Sequence, residues 1–151
     1  MDELRLLSGK VSKRSLPLVK PPFGPEAPDL KRLMLPQGEL AQFFNGEQPI
    51  QYIAFIELQP GSPRGNHYHK VKAEWVYLIR GTMRLLLQDV ETNACESTVL
   101  QAGDLTFIQT GVAHALEPLE PGQAIEFSSA RFDAADIYRF QVVNGSPGGL
   151  D

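Results

Sequence analysis

The chain has 151 residues, 42% of them apolar, which is enough for one compact core and falls within the usual size of a single domain. Its 14 basic and 18 acidic residues are interspersed and leave a net charge of −4, so no basic field exists to draw nucleic acid or an anionic membrane. The single cysteine, Cys95, excludes an internal disulfide and a zinc site built of thiolates alone.

Residues 1–15 (MDELRLLSGKVSKRS) hold no apolar core of signal-peptide length, and the longest apolar run, Trp75 to Ile79, is far too short to span a bilayer. A cytoplasmic protein is expected. Pro17, Pro21, Pro22, Pro25 and Pro28 then remove amide donors and fix φ, which forbids a continuous helix or central strand. Residues 1–48 are therefore read as an extended arm with edge strands. Leu16, Leu18, Val19 and Phe23 give the arm apolar surface to bury, along a barrel edge or across a partner subunit. It could also close one mouth of the barrel.

From residue 49 to 143 the pattern is of short strands rich in β-branched and aromatic residues: Gln51 to Leu58, Glu74 to Arg80, Met83 to Val90, Glu96 to Gln101, Leu105 to Gln109, His114 to Pro118, Gln123 to Phe132 and Ile137 to Val143. Turn formers such as Pro60-Gly61, Gly81-Thr82, Gly103-Asp104 and Pro121-Gly122 separate them. This spacing predicts an all-β antiparallel sandwich or barrel, followed by a flexible tail over 144–151.

In Glu74 to Arg80 one face carries Glu74, Val76 and Leu78 and the other Trp75, Tyr77 and Ile79, so neither face is made for water. A second layer or a second subunit is required, and a homodimer is expected. Trp75, Tyr77 and Tyr68 are read as packing or interface residues, and Glu117 and Glu126 as solvated groups with an outside claim to acid-base work.

All three histidines fall in two stretches, Gly61 to Gly81 and Gly103 to His114. His67 and His69 are two apart, so on an extended strand both imidazoles leave the same face and can meet one ion. Glu74 lies an odd number of residues beyond His69, so a turn through Lys70 to Ala73 must intervene before it can face inward. His114, some forty residues on, can join them only if distant strands share one interior. A His-x-His pair alone is more often decoration than a ligand pair.

Taken together, the two stretches resemble the two signature motifs of the cupin superfamily. Gly61, His67, His69, Glu74 and Gly81 fill each place of the first motif; Gly103, Gly111 and His114 match the second, where Gln109 replaces a proline and Pro118 an asparagine. The resemblance implies a jelly-roll barrel, the double-stranded β-helix, with one divalent ion (Zn, Fe, Mn or Ni) held by His67, His69, Glu74 and His114.

The run from Arg64 to His69, with Lys72 and Glu74, is similar to cupins of nucleotide-sugar and capsular-polysaccharide biosynthesis, and Phe127 to Phe140 (FSSARFDAADIYRF) resembles the closing segment of deoxy-sugar ketoisomerases and epimerases. These likenesses imply a small-molecule substrate, a keto-sugar isomerised or epimerised by metal-assisted proton transfer, with His69 as general base in a metal-free variant. Arg64, Lys70 and Lys72 are candidates to meet phosphates, against a solvated-loop reading. Two other readings stay open. One is an Fe(II) dioxygenase, for which Val76, Leu78, Leu105, Phe107 and Ile108 would give an apolar barrel lining. The other is a non-catalytic module that binds metal or metabolite.

Overall fold

The computed structural model describes residues 3–144; the expected tail lies outside them except for Asn144. Fourteen strands follow in chain order: β1 (Glu3–Leu6), β2 (Val11–Ser15), β3 (Leu18–Val19), β4 (Lys31–Leu35), β5 (Gly38–Gln42), β6 (Tyr52–Leu58), β7 (Arg64–Tyr68), β8 (Glu74–Arg80), β9 (Thr82–Asp89), β10 (Cys95–Gln101), β11 (Asp104–Ile108), β12 (Val112–Pro118), β13 (Gly122–Ser128) and β14 (Tyr138–Arg139). The only helical pieces among these residues are single 3₁₀ turns at Leu7–Gly9 and Ala134–Asp136. No helix is long and apolar enough to cross a membrane.

Two antiparallel sheets face each other, one ordered β1-β2-β11-β8-β13-β6 and the other β10-β9-β12-β7-β14, with a small third sheet β3-β4-β5 in which β3 and β4 run parallel. This is the expected jelly roll. Alternation along each strand sends Val76, Leu78, Met83, Leu85, Leu87, Leu100, Ile108 and Leu116 between the sheets, where they form the main core.

The six-stranded sheet also carries apolar side chains on its outer face, and the chain covers that face itself. Tyr77, Leu105 and Phe127 pack there with Leu16, Phe43 and Phe44. Phe43 stacks on Tyr77 at 4.3 Å and Trp75 lies flat on Phe127 at 5.2 Å between centroids. The two-sided character of β8 is thus satisfied within one chain, and it gives no argument for a second subunit. Leu105 and Phe107, expected inside the barrel, are on this outer side because their register partners are Tyr77 and Trp75.

The N-terminal residues do more than trail along an edge. Strand β2 pairs residue by residue with β11, and β1 with β2, so residues 3–15 extend the barrel sheet. The segment after them is tied by Leu16 N–H to Gly103 O at 2.9 Å and by Arg32 N–H to Pro17 O at 2.9 Å. Of the arm's apolar residues Leu16 is buried, whereas Leu18 and Phe23 are exposed. No residue of 16–29 reaches the cavity described below, so the arm does not close that mouth.

Candidate metal centre and its cavity

The local chain path explains how three imidazoles meet. Strand β7 pairs with β12 through His114 opposite His67, but the next pair is Ala115 opposite Gly65, so Asn66 is an extra, bulged residue. Gly65 and Asn66 take positive φ, 88° and 57°. Gly65 is required on a second count, since a Cβ there would come within 2.5 Å of the His114 carbonyl oxygen. The bulge thereby lets β7 and β12 approach closely with His67 and His114 side by side on the interior face.

His69 follows the end of β7 and remains attached to β12's approach, its carbonyl accepting from Gly111 N–H at 2.9 Å. The turn expected between His69 and Glu74 is organised by Asp136, a residue the sequence reading passed over. Its buried carboxylate accepts from the amides of Lys70 at 2.8 Å, Val71 at 3.1 Å and Lys72 at 3.0 Å, while its backbone carbonyl meets His69 Nδ1 at 2.8 Å. Burial alone would raise the Asp136 pKa, but the three amides hold it below the usual carboxylate value.

The donor atoms of His67, His69 and His114 lie within 4.8 Å of one another, and all three rings are buried. Glu74 opens β8 facing them, with Oε1 3.1 Å from His114 Nε2 and 3.4 Å from His69 Nε2. The structure therefore brings together all four residues singled out from the sequence.

The protonation chemistry of this cluster fits a cation. A carbonyl oxygen can only accept, so His69 Nδ1 donates to Asp136 O, and His114 Nδ1 donates to Val112 O at 3.0 Å. In the neutral rings the Nε2 atoms then carry lone pairs aimed at a carboxylate oxygen, and His69 Nε2 and Glu74 Oε1 are buried without a hydrogen-bond partner. Extra protons are a poor remedy at His67, whose pKa is pushed down to about 3 by burial and by the neighbouring His114 and His69. Burial would raise Glu74, yet its contacts with His114 and His69 and the nearby Lys72 hold its carboxyl well below the ordinary range. Three nitrogens and one oxygen of this kind suit Zn, Fe, Mn or Ni.

Beside the cluster is a cavity of about 220 Å³, walled by β6 and β13 and roofed by Phe132 and Ile137. Lys72, weighed as a phosphate contact against a solvated loop, is 6% exposed; its Nζ lies 3.8 Å from Glu74 Oε2 and 4.5 Å from the Tyr52 ring centroid. Arg64 also lines this space, whereas Lys70 projects over Tyr138 outside it. Glu126 faces the cavity and accepts from the Tyr52 hydroxyl at 3.3 Å, while Glu117 pairs with Arg84 on the other sheet. Tyr68 turns away from the histidines and stacks on Tyr138, as alternation requires.

Comparison with known proteins places this architecture. The family model described as a cupin domain matches residues 54–126, which include all four residues of the cluster. Oxalate decarboxylase OxdC of Bacillus subtilis is 36% identical over 67 residues, 44% of this chain and 17% of that protein. The chain belongs to the cupin superfamily. The match thus spans less than a fifth of that relative's length. Among solved structures, the RmlC epimerase of Mycobacterium tuberculosis overlays on 100% of this cupin and 84% of its own chain with a TM-score of 0.72 at 12% identity. The WlaRB TDP-quinovose 3,4-ketoisomerase of Campylobacter jejuni overlays on 74% and 88% of the two chains with a TM-score of 0.65 at 20% identity. At these identities the overlays establish the RmlC-like barrel alone.

Proposed function

We propose that this cupin is a cytoplasmic isomerase or epimerase of a nucleotide-linked keto-sugar, with one divalent ion held by His67, His69, Glu74 and His114. The observation that carries the reading is a cavity of mixed lining next to a cluster of buried donors, in which two cations, Arg64 and Lys72, and a second carboxylate, Glu126, stand among apolar walls. A space of about 220 Å³ is smaller than the ~300 Å³ lower end of drug-sized ligand pockets, which suits one sugar ring with its nucleotide left outside. The overlays on a sugar epimerase and a sugar ketoisomerase support the same class.

A divalent ion bound there would supply Lewis-acid polarisation of a substrate carbonyl. The protein's own residues hold and orient: the Asp136 and Val112 carbonyls fix the ring tautomers, and Lys72 puts positive charge at the cavity wall. In a metal-free variant the Nε2 lone pair of His69 would be the proton acceptor. The lining on which the oxygenase reading drew is not the one found: Leu105 and Phe107 face the outer layer, Val76, Leu78 and Ile108 belong to the core, and the apolar wall of the cavity is Ala54, Ile56, Leu116, Phe132 and Ile137.

The test is anaerobic reconstitution with Fe, Mn, Ni or Zn, followed by ¹H NMR of TDP-4-keto-6-deoxyglucose with each form. Conversion without oxygen is the expected result. Silence with every metal, or iron-dependent oxygen uptake in place of isomerisation, would overturn the proposal.

A further inference from the structure

The site already described uses its histidines for holding, which leaves open what moves the proton. If three imidazole lone pairs converge on an ion, none can also take hydrogen from a substrate carbon. The remaining ionisable groups lining the cavity are Arg64, Lys72, Tyr52 and Glu126. Two are cations and one is a phenol. Among the described residues, Glu126 is the only carboxylate lining this space apart from Glu74.

The register places it well for that task. Glu126 lies opposite Val76 on β8 and opposite Ala54 on β6, and Phe127 lies opposite Trp75. One further step along the ladder is Glu74, so the two glutamates are diagonal neighbours on one interior face, at a Cα separation of roughly 7–8 Å for such pairs. A substrate carbon could therefore lie between the cluster and Glu126. The Tyr52 hydroxyl donates to Glu126 Oε1 at 3.3 Å and restricts the carboxylate's rotation.

Lys72 supplies the complementary charge. Its side chain is more than nine-tenths buried, and its Nζ lies 3.8 Å from Glu74 Oε2 and 4.5 and 6.0 Å from the ring centroids of Tyr52 and Phe132. The Glu74 carboxylate is an ion-pair partner beyond hydrogen-bond distance, so the N–H donors of Lys72 can turn to a closer acceptor that enters the cavity. A buried ammonium in that state calls for an anionic oxygen.

We propose that Glu126 is the catalytic base of this cavity and that Lys72 meets the oxyanion its action creates; the assignment rests on the keto-sugar reading above. The carboxylate takes the proton from the carbon between carbonyl and hydroxyl. The C–H bond breaks, an O–H bond forms on Glu126, the C–H pair becomes a carbon–carbon π bond, and the carbonyl π pair moves onto oxygen beside Lys72. Return of that proton to the former carbonyl carbon, with the hydroxyl proton passing to the former carbonyl oxygen, gives the isomeric hydroxyketone. No oxidant or co-reactant is consumed.

The experiment follows exchange of that carbon-bound hydrogen of TDP-4-keto-6-deoxyglucose in ²H₂O by NMR, using the full chain loaded with manganese. Glu126→Gln, which keeps size and an acceptor for Tyr52, is expected to slow exchange by about 10²–10⁴-fold with metal content unchanged and sugar-nucleotide Kd within about threefold. Lys72→Met is expected to slow it and to weaken binding, and Tyr52→Phe to slow it less than Glu126→Gln. Exchange in Glu126→Gln within threefold of the unmodified protein removes the assignment and leaves the proposed function standing. Loss of metal or of folding in Glu126→Gln, with Tyr52→Phe and Lys72→Met fully active, also overturns it. An unmodified protein that neither exchanges nor converts the sugar overturns both.

Discussion

Asp136 joins two jobs in one residue, since its carbonyl orients His69 and its carboxylate gathers the amides of residues 70–72. Truncation to Ala should free the loop that carries Lys72 and sets the distance between His69 and Glu74. Outer-sphere losses of this type cost about 10–100-fold in metal affinity. A chelator-competition titration of Asp136→Ala should show that drop, against near-complete loss in His114→Ala; binding within threefold of the unmodified protein would deny Asp136 this part. His67 gives a second prediction at the same scale. Its folded pKa of about 3 lies below the ordinary 6.5, so the unfolded chain binds a proton that the metal-free folded state refuses. Stability of the metal-free protein is then whole above about pH 6.5 and declines as pH falls toward 3. The urea midpoint of chelator-treated protein should be lower at pH 5 than at pH 7.5, and His67→Gln should flatten the dependence.

At the scale of elements, the bulge in β7 is the part that aligns the centre. A Cβ on Gly65 would have to displace the His114 carbonyl and also occupy φ of 88°. Gly65→Ala should cost about 2 kcal/mol or more, lowering Tm by roughly 5 °C in a chain of this size, and should weaken metal binding as well. A Tm within 1 °C of the unmodified protein would contradict it. Much of this was legible beforehand: strand β8 was bounded correctly, and the pattern of Gly61, His67, His69, Glu74, Gly81 and His114 named the cluster. What stayed hidden has a common cause. Strands β8, β11 and β13 are covered on both faces, so outer residues such as Phe127 and Ile125 are as apolar as inner ones, and alternation could not say that Glu126 faces in while Leu105 and Phe107 face out. Asp136 was missed, and Lys72 left between a phosphate contact and a solvated loop, for a different reason: their burial depends on a loop meeting a 3₁₀ turn some 64 residues away. No local pattern encodes that encounter.

For the molecule as a whole, the outer layer explains why one chain satisfies an apolar sheet on both sides. Residues 30–50 place Phe43 and Phe44 over Tyr77, Trp75 and Phe127, a stack of rings whose burial contributes to the fold as a second, smaller core. The centre therefore depends on three separate regions of chain. Residues 3–15 complete the sheet beside β11, residues 30–50 cover β8, and residues 134–142 brace the histidine loop and the bulge, where Asn66 accepts from the amides of Phe140 and Val142.

That pairing of β2 with β11 separates two ideas of a domain. The stretch that the family pattern recognises, 54–126, leaves out the strand that pairs with β11 and the residues that cover β8, and it is expected not to fold by itself. Excised, it would present the bare edge of β11 and an uncovered ring stack to solvent, both invitations to self-association. A fragment cut at those limits should give a collapsed ¹H–¹⁵N spectrum where the full chain gives a dispersed one, and a well-dispersed fragment would show that the flanks are ornament. Grafts and minimal scaffolds drawn from this barrel need their borders set by hydrogen-bonded neighbours, which here lie some forty residues upstream of the recognised motif.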